Sequence, residues 1–501
     1  MLNYEDATPN PEFLIKSIAE QGYSLQTALA DLFDNSIFAK ADKIEVLIDP
    51  SIEPFTLFIA DNGLGMDEET LKASMQFPST SPEEKREYAD LGRFGLGMKT
   101  ASFSQTRVFT VLSKRRGEKK YSARTWDVNY LKDEGKWRIL VEPDQGIDEI
   151  VKNYRTLSDG YLNSFENFEP STIIVWKGLY KFENYLDKKN RQNSLKKEIT
   201  EVTTDYLSLV FHRYLENETK PIKIRINNQP IPPFNPFPTK LTDFRPIEYK
   251  QKKYSTDTIK IEGFVLPSRS IDESRKGLTC WTTKNKGLMD MEGIYIYRAD
   301  RIIFFGGWNG LIKKAPRLQL ARLRVEIGNS VDHLLHLNVA KSKVVIPHDL
   351  KKAFENYIEE LKIEAEKEYF NAGIRRFSDN NKDDKIQLFV RKASNKGTLL
   401  EINSDFLLLK ELKGELTKKQ QSMLNIVIKM TNTFINKIRR THEELSFVGT
   451  KEKDGLSTCD LITCITGLKN SGLDSEIIKT KILPELGYIF ESLPPEAMEA
   501  L

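Results

Sequence analysis

The sequence predicts an α+β protein, and three observations carry that expectation. Apolar residues at helical spacing between 11 and 41 lead into two runs of strand character, strand-like runs return between 258 and 303, and beyond about 405 the apolar pattern is helical again. A chain of 501 residues, 39% hydrophobic and 29% charged, is long enough for several domains with sizeable cores. No unbroken apolar run approaches ~18 residues, and Met1-Leu2-Asn3-Tyr4-Glu5-Asp6 lacks the basic-then-apolar order of a leader, so a soluble cytoplasmic protein with no membrane segment is expected. Cys280, Cys459 and Cys464 offer neither a disulfide framework nor a zinc site. With a net charge of only +3, any affinity for nucleic acid has to come from a local patch.

Two helices open the chain. Leu14, Ile15 and Ile18 form one apolar face and Leu25, Ala28, Leu29, Leu32 and Phe33 the next, with Gly22 between them. The second helix carries Asp31, Asp34 and Asn35, and Asp31 and Asn35 share a face because they are four residues apart. A carboxylate and an amide so placed suit a hydrated Mg²⁺ and an oriented water, since Mg²⁺ takes oxygen ligands and keeps several waters. A solvated polar face near a helix end is the other reading.

Strands at 43–48 and 55–60 follow, and the second ends in Asp61-Asn62-Gly63-Leu64-Gly65-Met66. A carboxylate at a strand end can accept from the exocyclic amine of adenine while the glycines admit the ring; a hairpin turn is the alternative. Further on, Gly92-Arg93-Phe94-Gly95-Leu96-Gly97-Met98-Lys99-Thr100 puts three glycines ahead of a lysine and small residues. Such a loop can turn its N–H groups toward a polyanion, with Lys99 adding charge; a glycine-rich surface turn is the alternative. It nearly spells the nucleotide loop G-x-x-x-x-G-K-[ST], but Met98 stands between Gly97 and Lys99 and breaks the register.

These three boxes, in this order and spacing, resemble those of the GHKL superfamily, named after gyrase, the heat-shock chaperone of ninety kilodaltons, histidine kinases and MutL. The resemblance implies a Bergerat-type α/β sandwich, with helices on one face of a mixed sheet, and ATP with Mg²⁺ as cofactors. It implies Asp61, Gly63, Gly65 and Met66 at adenine, Asn35 on the metal with Asp34 beside it, and a lid over about 66–104. Gly92, Arg93, Phe94, Gly95, Leu96, Gly97, Met98, Lys99 and Thr100 would then meet the phosphates. Asp31 would be the general base, where hydrolytic members usually carry glutamate; the shorter side chain implies slow or absent turnover. At the start of the strand Pro170–Trp176, Thr172 fits the family's threonine near adenine, or is an ordinary β-branched strand residue.

The ATP-binding domain is expected over 1–218, a transducer-type α/β domain over 219–375, and a strand pair with a mostly helical dimerisation or partner-docking region over 376–501. Gly293–Ile303 resembles the transducer of MORC and MutL-type members, and Ala321–Ile327 with Leu337–Lys343 is similar to bacterial MORC-like ATPases. There Lys341 would reach the terminal phosphate, with Lys343 the alternative; two surface lysines are the plain reading. Between Arg298 and Arg324 seven basic residues stand against Asp300 alone, a candidate grip for DNA backbone or a solvated loop. The resemblance implies an ATPase that dimerises on ATP and acts as a DNA clamp, in bacterial antiphage or restriction defence beside a nuclease or helicase. A chaperone-like or signalling scaffold acting on a protein, and an ATP switch that never hydrolyses, are the alternatives.

Overall fold

The computed structural model describes residues 8–20, 22–77, 96–159, 168–184, 186–241, 243–254, 257–278, 280–328, 348–378, 388–394, 397–444, 458–470, 474–483, 490 and 493–501. The expected helix pair is α1, Pro11–Ala19, and α2, Leu25–Phe38. Asn10 accepts from the Phe13 N–H ahead of α1, and Ser24 and Thr27 cap α2 reciprocally, so local chemistry starts both helices. There follow β1 (Lys43–Ile48), β2 (Thr56–Asp61), α3 (Glu68–Met75), α4 (Gly97–Phe103), β3 (Thr106–Ser113), β4 (Ser122–Asp127), β5 (Leu140–Val141), β6 (Thr172–Leu179), β7 (Lys223–Ile226) and β8 (Gln229–Pro230).

These strands form one mixed sheet in the order β5-β4-β3-β6-β2-β1-β7-β8, antiparallel throughout except where β1 meets β7. Alternate residues face opposite ways. Val46, Ile59, Val111 and Trp176 pack into a core with α1, α2 and α4, whereas Leu47, Phe58, Leu112 and Ile173 face a second cluster. The layer of helices expected on one face is present, and the second face is covered in addition by the helix Asp144–Asp159 through Ile147 and Tyr154. On the same side Glu45 is fully buried, pairs with Arg225 of β7 and accepts from the Tyr154 hydroxyl at 2.6 Å, which ties that helix to the sheet.

A second sheet holds β9 (Arg245–Tyr254), β10 (Asp257–Val265), β11 (Gly293–Arg298), β12 (Arg301–Phe305) and β13 (Ala321–Ile327), in the order β12-β11-β13-β10-β9. Its core contains Phe264, Trp281, Tyr295, Trp308 and Leu323, closed by Phe354, Ile358 and Leu361 of the long helix His348–Ser378. The strands β7 and β8, beyond the expected boundary at 218, belong to the first sheet. Both sheets lie in one compact unit that runs to Ile374; Arg375–Leu501 forms another.

In that last unit Phe389–Ser394 and Gly397–Ile402 pair antiparallel, and Asn432 and Asn436 of the helix Lys418–Glu444 accept from the Ile402 and Leu400 N–H groups at 2.8 and 3.0 Å. A small core of Leu461, Ile465, Ile478 and Leu493 follows, built partly on the helix Thr458–Asn470, which starts ahead of the helix expected at 470–495. Among the described residues no helix is long and apolar enough to cross a membrane.

Candidate functional site

The register of the first sheet assembles the adenine-side residues. Asp61, the last residue of β2, lies opposite Thr172, the first of β6, and Thr172 lies opposite Ser113, the last of β3. Directly paired residues share a face, here the one α2 covers. Ser36 of α2 donates to Asp61 Oδ2 at 2.9 Å and the Gly63 N–H donates to Oδ1 at 2.8 Å. Ser113 and Thr172 share a hydrogen bond of 2.9 Å, and the Met66 N–H donates to Ser113 at 2.9 Å. Burial pushes the Asp61 carboxyl above its ordinary value, against the opposing effects of the Gly63 N–H, Ser36 and Arg116.

The two glycines of this box have a packing reason. Gly65 has φ +66°, and a Cβ there would stand 1.8 Å from the Lys114 carbonyl oxygen; at Gly63 it would stand 2.8 Å from Asp61 Oδ1 and 2.9 Å from Ala39. Arg116, which sequence reasoning passed over, pins the same turn by donating to the Gly63 and Lys40 carbonyls, both at 3.2 Å. Its only trace in the sequence is a basic run just after a strand.

Along α2, Asp31 and Asp34 are buried while Asn35 is exposed. The Tyr23 hydroxyl donates to Asp31 Oδ2 at 2.6 Å. Arg301 of β12, which is 2% exposed, places its Nε 2.8 Å from Asp34 Oδ1 and a terminal nitrogen 3.7 Å from Asp31 Oδ1. Burial works against the Arg301 charge, but Asp34, Tyr206 and Asp31 outweigh it and raise its pKa. Neither Tyr23 nor Arg301 was a sequence candidate for this site. Their partners are eight and about 270 residues away, and no local pattern encodes such a meeting.

Of the glycine-rich loop, Gly92, Arg93, Phe94 and Gly95 lie outside the described residues, as do Lys341 and Lys343. Leu96, Gly97 and Met98 are half-buried at the start of α4, and the nearest atom to a Cβ added at Gly97 would be Asp31 Oδ2, at 3.9 Å, which sets this backbone beside the α2 carboxylates. Thr100 is buried and bonds back to the Leu96 and Gly97 carbonyls at 3.0 and 3.2 Å. Lys99, expected to face phosphate, instead runs inward and donates to the Ser74 carbonyl of α3 at 2.8 Å; burial pushes its ammonium down to about 8.

Most of the seven cations considered as a grip for DNA are engaged within the fold. Arg298, Arg301 and Arg322 are buried, Arg322 donating to the Trp281 carbonyl at 2.6 Å. Arg317 pairs with Glu366 at 2.5 Å and Arg324 with Glu262 at 2.9 Å, which leaves Lys313 and Lys314 as the exposed members. Cations used inside the fold are lost to phosphodiester contacts.

The eight-stranded mixed sheet, the acid-bearing α2 and the buried aspartate at the end of β2 are consistent with a GHKL-type ATPase domain, and such a domain implies ATP binding. Residues 23–157 match the family model described as histidine kinase-, DNA gyrase B-, and HSP90-like ATPase. The match covers neither the second sheet nor the unit that starts at Arg375. A search of curated proteins found no match to the chain.

Proposed function

We propose that the chain is a Mg²⁺-dependent ATPase that works as a nucleotide-governed switch. The observation that supports this best is the convergence, around one helix, of a buried carboxylate for adenine at Asp61 and a second pair of carboxylates at Asp31 and Asp34, 27 to 30 residues upstream (61 − 34 and 61 − 31). Asp61 recognises the exocyclic amine as an acceptor already aimed by Ser36 and the Gly63 N–H. Ser113 and Thr172 complete a polar strip on that side, and the start of α4 faces the phosphates.

An oxygen-rich donor set suits Mg²⁺, and the exposed amide of Asn35 is the group that would hold it; the ion supplies neutralisation of phosphate charge. Asp31 accepts the proton of the attacking water. One oxygen is engaged by Tyr23, but a carboxylate offers about four lone-pair sites and can accept from water as well. In the closed state Lys341, or else Lys343, contacts the terminal phosphate and dimerisation follows. The partner reshaped by the cycle is read as a protein rather than DNA, because most of the cations behind the DNA reading are committed inside the fold.

The test is a fluorescent-ATP titration combined with phosphate release. Asp61→Asn is expected to weaken binding by about 10- to 100-fold, the worth of a hydrogen bond to a charged group. Asp31→Ala is expected to bind ATP normally and lose turnover. Wild-type affinity in the first variant removes the adenine assignment, and wild-type turnover in the second moves the base elsewhere.

A further inference from the structure

The contact between Arg301 and the α2 carboxylates carries an inference that rests on the reading of Asp31 as the base. Arg301 directly follows a two-residue turn, Ala299 and Asp300, whose positive φ values of 46° and 65° fold β11 back into β12. The tip is pinned by the helix His212–Leu215: the Tyr214 hydroxyl donates to the Ala299 carbonyl, Arg213 pairs with Asp300 at 3.0 Å and with Glu326 at 2.7 Å, and His212 shares a hydrogen bond of 2.9 Å with Tyr297. The guanidinium therefore reaches Asp31 and Asp34 from a seated, rigid hairpin. Two buried carboxylates repel one another, and the guanidinium, nearest to Asp34 and within ion-pair distance of Asp31, offsets both charges.

We propose that Arg301 is the positioning residue of the hydrolytic step: paired with Asp34 and close to Asp31, it holds the α2 carboxylates ionised and in place by its charge, and because the second sheet carries it, hydrolysis requires the β11–β12 hairpin to be seated on α2. In that step the water oxygen bonds to the terminal phosphorus and the water proton passes to Asp31. The bond to the bridging oxygen breaks with its electron pair on ADP.

The experiment measures ATP affinity and kcat separately for the full chain, for Arg301→Met and for Arg301→Lys, with circular dichroism to establish folding. Arg301→Met is expected to keep ATP affinity within about threefold and to lose about 100-fold in kcat, the lower end of what a positioned general base contributes. Arg301→Lys, which keeps the charge, is expected to recover much of that loss; should the Met variant fail to fold, kcat and affinity in the Lys variant decide. A folded Met variant with wild-type kcat overturns the inference, as does a parallel loss of affinity and kcat in either variant, which marks a purely structural contact. Wild-type protein that binds ATP without turnover removes the reaction Arg301 serves while leaving ATP binding in place. Wild-type protein that binds no ATP ends the nucleotide reading itself, and this inference with it.

Discussion

Glu292, the residue before β11, is fully buried and accepts from the Trp308 indole at 3.2 Å and the Ala315 N–H at 3.3 Å. Burial raises its pKa from the ordinary 4.5 to about 7, against the opposing effects of Trp308, the Ala315 N–H and Lys314. The folded protein therefore holds this proton more tightly than the unfolded chain does. The stability contributed is full below about pH 4.5, falls as the pH rises toward 7, and is gone above that. Glu292→Gln keeps an acceptor and cannot ionise, so its melting temperature should exceed that of the wild type at pH 8 and approach it at pH 5. Parallel melting curves across that range would show that folding does not raise the Glu292 pKa.

The turn between β2 and α3 shows what a short element demands of its sequence. At Gly65 a methyl group would collide with the Lys114 carbonyl and force a positive φ on a residue that resists it. Gly65→Ala should destabilise the domain by about 2–4 kcal/mol, overpacking and backbone strain together, as read by urea unfolding. The second helix and the strand that ends at Asp61 were legible in the sequence because each is a local device, an apolar helix face and a short apolar run closed by glycines. The strand that begins at Thr172 was legible from its β-branched run. The helix Asp144–Asp159 could have been read too, since Ile147, Val151 and Tyr154 recur at helical spacing, but its charged remainder and the aromatic segment after it hid the pattern. Arg301 was not legible, nor was the inward turn of Lys99. A buried cation looks like a surface cation until the chain has folded around it, and the tertiary partners of each, Asp31 and Asp34 for one and the Ser74 carbonyl for the other, are set by packing alone.

At the scale of the molecule, the proposed switch requires nucleotide to select a closed state, with the expected lid over 66–104 and Lys341 or Lys343 as its expected parts. Small-angle scattering and light scattering with a non-hydrolysable ATP analogue should show doubled mass, or compaction if the chain is already paired; identical curves at saturating analogue would end the switch reading. The seating of Arg301 on α2 also bears on how the molecule can be divided. A fragment that stops ahead of β11 keeps all three boxes and the whole eight-stranded sheet, yet takes Arg301 away from Asp31 and Asp34. The smallest piece with its own electrostatic balance thus runs past residue 301. A chain that joined the first sheet to a foreign second half would lack this pairing unless that half carried a cation to the same spot.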